Sequence, residues 1–399
     1  MPGFETLDFD YFHRVELPRR LAAGNGARAA EGAPRRNSLA FRLPEGSSYT
    51  YVSREGGIDI VSGDDIADTV IELDREFWQG IVHDLESPPG LLYAGRAQCR
   101  RGDAMTFVRW DPALRSMYTG RPFFDPRKAR LKDRHGAALD VARAFRLDDD
   151  GEEMAHFLRT AGYLVVRNVF SADEVAFFRR GAARARRDAR RGDRESWWGK
   201  NALGEEVLCR VTSGSRHPEL RDLICDPRIL GLIGLSDEKL SARIAGAEPG
   251  VSVIYKNPGM TEGLSDLPWH RDCGMGGHAV MCPILIASIF IETATAETGE
   301  LRVLPGSWNG ACRFIDPSHP DAPDGVGIVA EPGDVSVHYG DVMHSAPPPT
   351  GPGPFRTSIT VAFAKEGSKH HRGERHYNDV LLSRDDGQVE HLEKVASRS

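Results

Sequence analysis

The sequence lacks most of what would tie it to a membrane, a secretory route or a nucleic acid. It has six cysteines in 399 residues (Cys99, Cys209, Cys225, Cys273, Cys282 and Cys312) and no Cys-x-x-Cys pair. That argues against the common structural zinc frameworks, and cysteines so scattered do not read as a disulfide scaffold. Free thiols in a reducing cytoplasmic setting are expected. The longest apolar run, AVMCPILIASIFI at 279–291, is too short to span a bilayer and contains Pro283, so a buried strand or strand pair is expected there. The opening segment, MPGFETLDFDYFHRVELPRR, is acidic early and has no apolar stretch of the signal-peptide kind. Positive charge is not in excess: the formal net charge is -7, which gives no general attraction to phosphate backbones. No nucleic-acid partner is expected. No internal repeat or long low-complexity tract is visible.

What is present points to a globular protein of two or three domains with a sizeable core. Residues 1–110 read as a smaller α+β domain. SSYTYVS (47–53), GGIDIVSGD (56–64) and DTVIELD (68–74) have strand character, and REFWQGIVHDL (75–85) places Phe77, Trp78, Ile81 and Leu85 at helical spacing, with Asp74 as a capping residue. LLYAGRAQCRRGDAMTFVRW (91–110) then reads as extended. This order, with YAGRAQCRRGD, resembles the latter part of a sterol-carrier-protein-like domain over some seventy residues. The resemblance implies either an apolar-ligand cradle or a structural module. Residues 111–150, which include TGRPFFDPRKARLKDRHG, read as a linker docked on the next domain.

A second pattern occupies 151–370, followed by a C-terminal tail at 371–399. GEEMAHFLRTAGYLVVRNVF reads as a helix and then a strand. In SADEVAFFRRGAARARRDARRGD, Ser171 stands three residues before Glu174, the spacing of a capping box. Val175, Phe177 and Phe178 are expected on the buried side of that helix. Arg179, Arg180, Arg184, Arg186, Arg187, Arg190 and Arg191 form its other face, as a solvated surface or a site for an acidic group such as a coenzyme A phosphate. Residues 216–235 read as two short helices broken at Pro227. From 240 to 365 short strands punctuated by Pro and Gly dominate, so the domain is expected to be α+β, built around a β-sandwich or barrel.

The chemistry concentrates in two distant stretches. In LPWHRDCGMGG (267–277), His270 and Asp272 are two apart, and on an extended chain such residues share a face. In EPGDVSVHYGDVMHSAPPPTGPGPFRTSITVAF (331–363), Pro332-Gly333-Asp334 forms a tight turn into a strand, His344 precedes a proline run, and Arg356 opens another strand. Two imidazoles and a carboxylate on one face of a metal suit a non-heme Fe(II) site with positions left open for a co-substrate and O2. A nearby arginine suits a dicarboxylate such as 2-oxoglutarate, gripped through its planar fork. Alternation in TSITVAF puts Arg356, Ser358 and Thr360 on one face.

Residues 150–365 resemble the phytanoyl-CoA dioxygenase family of Fe(II)/2-oxoglutarate-dependent oxygenases. PWHRDCG, TATAETGELRVLPGSW (293–308), PGDVSVHYGDVMHSAPP and RHPELRDLICDPRILGLI carry the likeness in order. It implies a double-stranded β-helix, a jelly-roll or cupin-like core with flanking helices. It implies His270, Asp272 and His344 as both metal ligands and catalytic centre, His344 being favoured over His338 by its distance from Gly333-Asp334. Arg356, assisted by Ser358, is the implied co-substrate clamp. Lys256 and Ser288 fall at positions that line the co-substrate pocket in relatives, His278 where substrates approach, and Trp308 where the family commonly has His. Trp197 and Trp198 lie in a stretch expected either as a lid or as core packing. Related halogenases lack the carboxylate ligand, so Asp272 favours hydroxylation or another oxidation. The expected cofactors are Fe(II), 2-oxoglutarate and O2, and the expected partner is a small organic substrate. The alternatives are an apolar-ligand carrier with an inactive barrel and a cupin-type metalloenzyme that does not use 2-oxoglutarate. The sequence leaves the oligomeric state open.

Overall fold

Capping side chains and apolar spacing build the N-terminal unit. The computed structural model describes residues 4–193, 195–245, 248–262, 267–272, 283–351, 353, 356–365 and 391–399. Strands β1 (Leu39–Arg42), β2 (Ser48–Arg54), β3 (Gly57–Ser62), β4 (Thr69–Glu72) and β5 (Gln98–Arg101) form one sheet in the order β3-β2-β1-β4-β5. Helices α1 (Arg75–Val82), α2 (Pro88–Tyr93) and α3 (Ala104–Thr119) accompany it. Over 91–110 the chain departs from the extended reading, and only β5 is strand. Ser87 caps α2 by accepting from the Gly90 N–H, and Asp103 caps α3 by accepting from the Met105 N–H. α3 then buries Phe107, Trp110, Leu114 and Met117 in the first hydrophobic core. The expected boundary at residue 110 therefore falls inside a helix whose second half is core.

The expected linker is helical to Thr119, and beyond it the chain is largely irregular but well anchored. Phe123–Phe124 pairs in parallel with Ala311–Cys312, and Phe145 is buried in the second core, with its backbone bonded to Val165 and Arg167. The tail also returns. Helix α7 (Leu392–Ala396) places Leu392 and Ala396 in the first core.

The second core follows the expected order more closely. Helix α4 (Gly151–Ala161) is capped by Asp150 and stopped by Gly162 in the left-handed region. Strand β6 (Tyr163–Val166) leads to α5 (Ala172–Asp188), where the Ser171/Glu174 capping box is formed. Phe178 is buried, but Phe177 is 41 % exposed beneath the Arg180 guanidinium, which corrects its expected burial. Of the arginines expected on that face, Arg184 pairs with Glu219, Arg179 donates to the Ile291 carbonyl, and Arg191, past the end of α5, pairs with Glu206. Several cations of this face are thus engaged within the chain. Pro227 opens helix α6 (Pro227–Gly234) rather than ending one.

Two antiparallel sheets follow. The larger takes β7 (Ser196–Asn201), β8 (Glu206–Val211), β9 (Val251–Lys256), β10 (Met260–Glu262), β12 (Leu285–Phe290), β15 (Val335–Tyr339) and β17 (Arg356–Lys365) in the order β10-β7-β8-β9-β17-β12-β15-β6, with Leu240–Ala242 also against β17. The smaller takes β11 (Leu267–His270), β13 (Leu301–Val303), β14 (Val326–Ile328) and β16 (His344–Ala346) in the order β11-β16-β13-β14. Leu285, Val335 and Ile359 of the first share a core with Val303 and Ile328 of the second. Trp197 and Trp198 lie on β7, hydrogen-bonded to β8, so they belong to the sheet and not to a lid.

The turn into β15 shows why glycine stands at 333. Its φ is +96°, and a Cβ there would lie 2.3 Å from the Phe170 carbonyl oxygen. That close approach lets the Gly333 carbonyl accept from the Val169 and Phe170 N–H groups. Beside it the buried Asp334 carboxylate accepts from the Asn168 and Glu331 N–H groups and from Arg167. Gly333→Ala combines an unfavourable φ with a backbone clash and is expected to cost about 2 kcal/mol or more. Equilibrium urea unfolding would register this as a lower midpoint, and a wild-type midpoint would contradict the assigned turn.

Candidate metal centre

Strand pairing brings the two histidines together. In the β11–β16 ladder His270 lies opposite His344, and their ring centroids are 4.2 Å apart. β11 ends at His270, so Asp272 does not share a strand face with it as the sequence suggested. The chain bends instead, and one Asp272 oxygen still lies 3.5 Å from His270 Nε2 and 3.8 Å from His344 Nε2. One donor atom from each residue lies within 4.8 Å of the others. Donors held by bonds of about 2.1 Å to one ion lie roughly 3 Å apart, so modest side-chain adjustment suffices to close around a cation.

The imidazoles are preset for this task. His270 Nδ1 is 2.8 Å from the Pro268 carbonyl oxygen and His344 Nδ1 is 2.9 Å from that of Val342. A carbonyl only accepts, so each Nδ1 carries the proton and each Nε2 presents a lone pair toward Asp272. Burial, helped by the neighbouring His270, pushes the His344 pKa down to about 3. Burial opposes ionisation of Asp272, but the surrounding imidazoles outweigh it and hold its carboxyl well below the usual range. Neutral imidazole and carboxylate are the forms that bind a divalent cation.

His338, the competing candidate, sits close by on β15. Its Nε2 is 3.9 Å from the other Asp272 oxygen, and neither ring nitrogen has a hydrogen-bond partner among the described residues. It is placed beside the three donors, as a neighbour of the acid.

Arg356 opens β17 and is buried. It donates to the Gly299 carbonyl at 3.0 Å and to Ser358 Oγ at 3.3 Å, while its Nε has no partner. No ion pair joins it to a carboxylate among the described residues. Burial lowers its pKa to about 10, against the more distant Glu292 and Glu300. A buried guanidinium without a carboxylate is costly, and an acidic ligand would compensate it. The alternation read in TSITVAF holds: Arg356, Ser358 and Thr360 line the cavity, while Ile359 and Val361 lie in the core.

Lys256 lies opposite Arg356 in the β9–β17 ladder, and its ammonium donates to the Ala346 carbonyl. Ser288 lies opposite Thr360 and, like Lys256, lines the cavity. Trp308 is elsewhere: its indole stacks on Tyr339 at 4.0 Å and donates to the Arg159 carbonyl, a packing role. His278, Cys273 and Cys282 lie outside the described residues. Among the described residues Cys99, Cys209, Cys225 and Cys312 are joined by no disulfide.

The cavity of about 250 Å³ over this cluster has walls that the sequence reading missed. Tyr93 of α2, Val108 of α3 and Leu392 of α7 line it beside the barrel residues. No linear signal joins those positions to residue 270, because the tertiary fold alone brings the N-terminal unit over the barrel mouth.

The family model for phytanoyl-CoA dioxygenase (PhyH) matches residues 158–358, just over half of the chain. The chain belongs to the phytanoyl-CoA dioxygenase family. This places it among non-heme iron oxygenases that depend on 2-oxoglutarate. Solved structures similar to this phytanoyl-CoA dioxygenase family member include AviO1 from Streptomyces viridochromogenes Tue57, at 23 % identity over 55 % of this chain and 97 % of that one, TM-score 0.44. The non-heme alpha ketoglutarate dependent carbocyclase SnoK from nogalamycin biosynthesis matches at 22 % over 62 % and 96 %, TM-score 0.46. EctD from S. alaskensis, solved with 2-oxoglutarate and 5-hydroxyectoine, matches at 21 % over 62 % and 88 %, TM-score 0.44. No curated protein matches. The family match begins at 158, and nothing in the comparisons supports a sterol-carrier likeness for residues 1–110. Among the described residues no helix is long and apolar enough to cross a membrane.

The buried imidazoles make the metal-free protein acid-sensitive. His344 titrates near 3 in the folded chain. His13 titrates near 4, chiefly because of burial and against the pull of its bond to the Phe9 carbonyl. Both titrate near 6.5 when unfolded. The unfolded chain therefore takes up protons first, and stability falls as pH drops below about 6.5 toward the folded values. A loss of roughly 2 kcal/mol per histidine is expected between pH 7 and pH 5, read from urea midpoints. A midpoint that does not move over that range would contradict a buried, neutral His344.

Proposed function

We propose that the protein is an Fe(II)/2-oxoglutarate-dependent dioxygenase that hydroxylates, or otherwise oxidises, a small organic substrate, yielding succinate and CO2 from 2-oxoglutarate and O2. The observation that carries this reading is one cavity holding both features the chemistry requires. His270, Asp272 and His344 offer three converging donors, and Arg356 offers a buried cation with no carboxylate bonded to it among the described residues. We read the two sheets as the double-stranded β-helix of the family.

The bound iron, with 2-oxoglutarate and O2, supplies the oxidising power for attack on the substrate. The chain's part is to bind, orient and exclude. His270 and His344 give their Nε2 lone pairs and keep their protons on Nδ1. Asp272 supplies negative charge. Arg356 takes the distal carboxylate of 2-oxoglutarate, with Ser358 bonded to one end of its guanidinium. Lys256 and Ser288 line the same wall, Lys256 chiefly by holding the β16 backbone at Ala346. Tyr93, Val108 and Leu392 make the wall opposite the barrel partly apolar, which favours a substrate with an apolar body and keeps bulk water out. A carrier without catalysis would not need the three converging donors. A cupin enzyme without 2-oxoglutarate would not need a buried Arg356 that meets no carboxylate among the described residues.

His270→Ala, Asp272→Ala and His344→Ala are each expected to abolish 2-oxoglutarate turnover; normal turnover in any one removes that residue from the ligand set. Arg356→Met is expected to keep Fe(II) binding and raise the 2-oxoglutarate concentration at half-saturation about 10- to 100-fold, the worth of a charge-assisted contact. The weak visible absorption of the anaerobic Fe(II)/2-oxoglutarate complex measures both. Unchanged half-saturation in Arg356→Met would favour the cupin reading.

A further inference from the structure

A buried charge cluster joins the N-terminal unit to both ligand-bearing segments. Arg271 stands between His270 and Asp272. It donates to Asp341 Oδ1 at 3.0 Å and reaches Asp111 Oδ2 on α3 at 3.4 Å. Asp341 lies in the turn between β15 and β16, three residues before His344. Its other oxygen accepts from Arg115, also on α3, at 3.0 Å and lies 3.4 Å from Arg121. Arg115 in turn grips both oxygens of Asp84, at 2.9 and 3.0 Å, and Arg121 reaches Asp84 at 3.3 Å. Arg271 and Arg115 are almost wholly buried. Among the described residues three guanidiniums thus meet three carboxylates.

Buried ion pairs are weak contributors to net stability, and their best-attested use is to fix one arrangement against its alternatives. Here the fixed points are the two chain segments that carry the metal donors. Asp111 and Arg115 are one helical turn apart, so a single rigid helix sets both Arg271 and Asp341. We propose that the N-terminal unit is a positioning element of the metal centre: Asp111 and Arg115 of α3, acting through Arg271 and Asp341, hold His270, Asp272 and His344 at ligating distance. This rests on the ligand set proposed above. None of the four residues of the clamp touches the ion; each acts through the backbone of a ligand segment. It also gives residues 4–120 a role that needs no ligand of their own.

The test uses the full chain and reads metal binding apart from turnover. Anaerobic titration with Co(II) alone, followed by its visible ligand-field spectrum, and with Fe(II) at saturating 2-oxoglutarate gives affinities. Thermal melts of the metal-free variants report folding. Arg271→Met is expected to weaken both metals at least tenfold, as loss of a ligand-orienting partner typically does, with Arg271→Lys recovering part of the loss. Asp111→Asn and Arg115→Met are expected to shift in the same direction although both lie outside the barrel. Arg313→Ala, which removes a separate contact between the two units, to the Glu31 carbonyl, is expected to leave affinity and spectrum unchanged. Folded Arg271→Met with wild-type affinity and spectrum overturns the proposal. Where Arg271→Met does not fold, the nearly isosteric Asp111→Asn decides, and wild-type affinity there overturns it. An equal loss in Arg313→Ala also overturns it, because any loosening of the interface would then suffice. Wild-type protein that binds neither metal overturns the ligand set itself, a distinct result.

Discussion

The pairing of β11 with β16 is the constraint on which the site depends. It sets His270 directly opposite His344 and so makes two distant imidazoles neighbours across one ladder. A slip of one residue would carry one ring to the other face of the sheet. Each ring is then fixed locally, by a bond from Nδ1 to the carbonyl two residues before it. The same short-range geometry is repeated on both strands. Tautomer and ring orientation therefore follow from backbone position, and Asp272 needs only to be delivered by the bend that ends β11.

Much of this was legible in the sequence because it is local. The turn at Pro332-Gly333-Asp334, the capping box at Ser171 and the alternation from Arg356 to Thr360 each depend on residues close in the chain. The choice of His344 over His338 rested on distance from that turn, and the structure has His344 Nδ1 anchored while neither nitrogen of His338 is hydrogen-bonded among the described residues. What misled the reading is equally physical. Residues 104–110 fall in the stretch expected to be extended but form the first half of α3. The cap at Asp103 and burial over most of the helix surface hold them there. Phe177 was expected inside with Phe178, yet one residue turns a helix by about 100°, and the guanidinium of Arg180 covers it instead.

Arg356 and the charge cluster around Arg271 make an instructive contrast. Both bury guanidinium groups. Around Arg271 and Arg115 every cation faces a carboxylate of this chain, across distances of 2.9–3.4 Å. Among the described residues Arg356 has a carbonyl and a hydroxyl as partners and no acid. Desolvation acts on both, but only in the second is compensation left to something that enters from outside. The cost of holding a charge unpaired is of the order that a bound carboxylate returns. Burial alone would not separate a structural arginine from a binding one; the presence or absence of an internal partner does.

The N-terminal unit extends this division of labour. The family match covers the two sheets and their donors, whereas Tyr93, Val108, Asp111 and Arg115 lie before it and Leu392 after it. The barrel thus carries the general chemistry, and the flanking segments shape the cavity mouth and brace the ligand strands. Bracing and shaping come from the same helix: Val108 faces the cavity while Asp111, one turn on, and Arg115, two turns on, reach Arg271 and Asp341. A shift of α3 would therefore alter the substrate wall and the donor geometry together. That coupling explains why a unit with no donor of its own is packed against the mouth through buried charges, whose directional bonds fix an orientation that an apolar contact would leave free to slide.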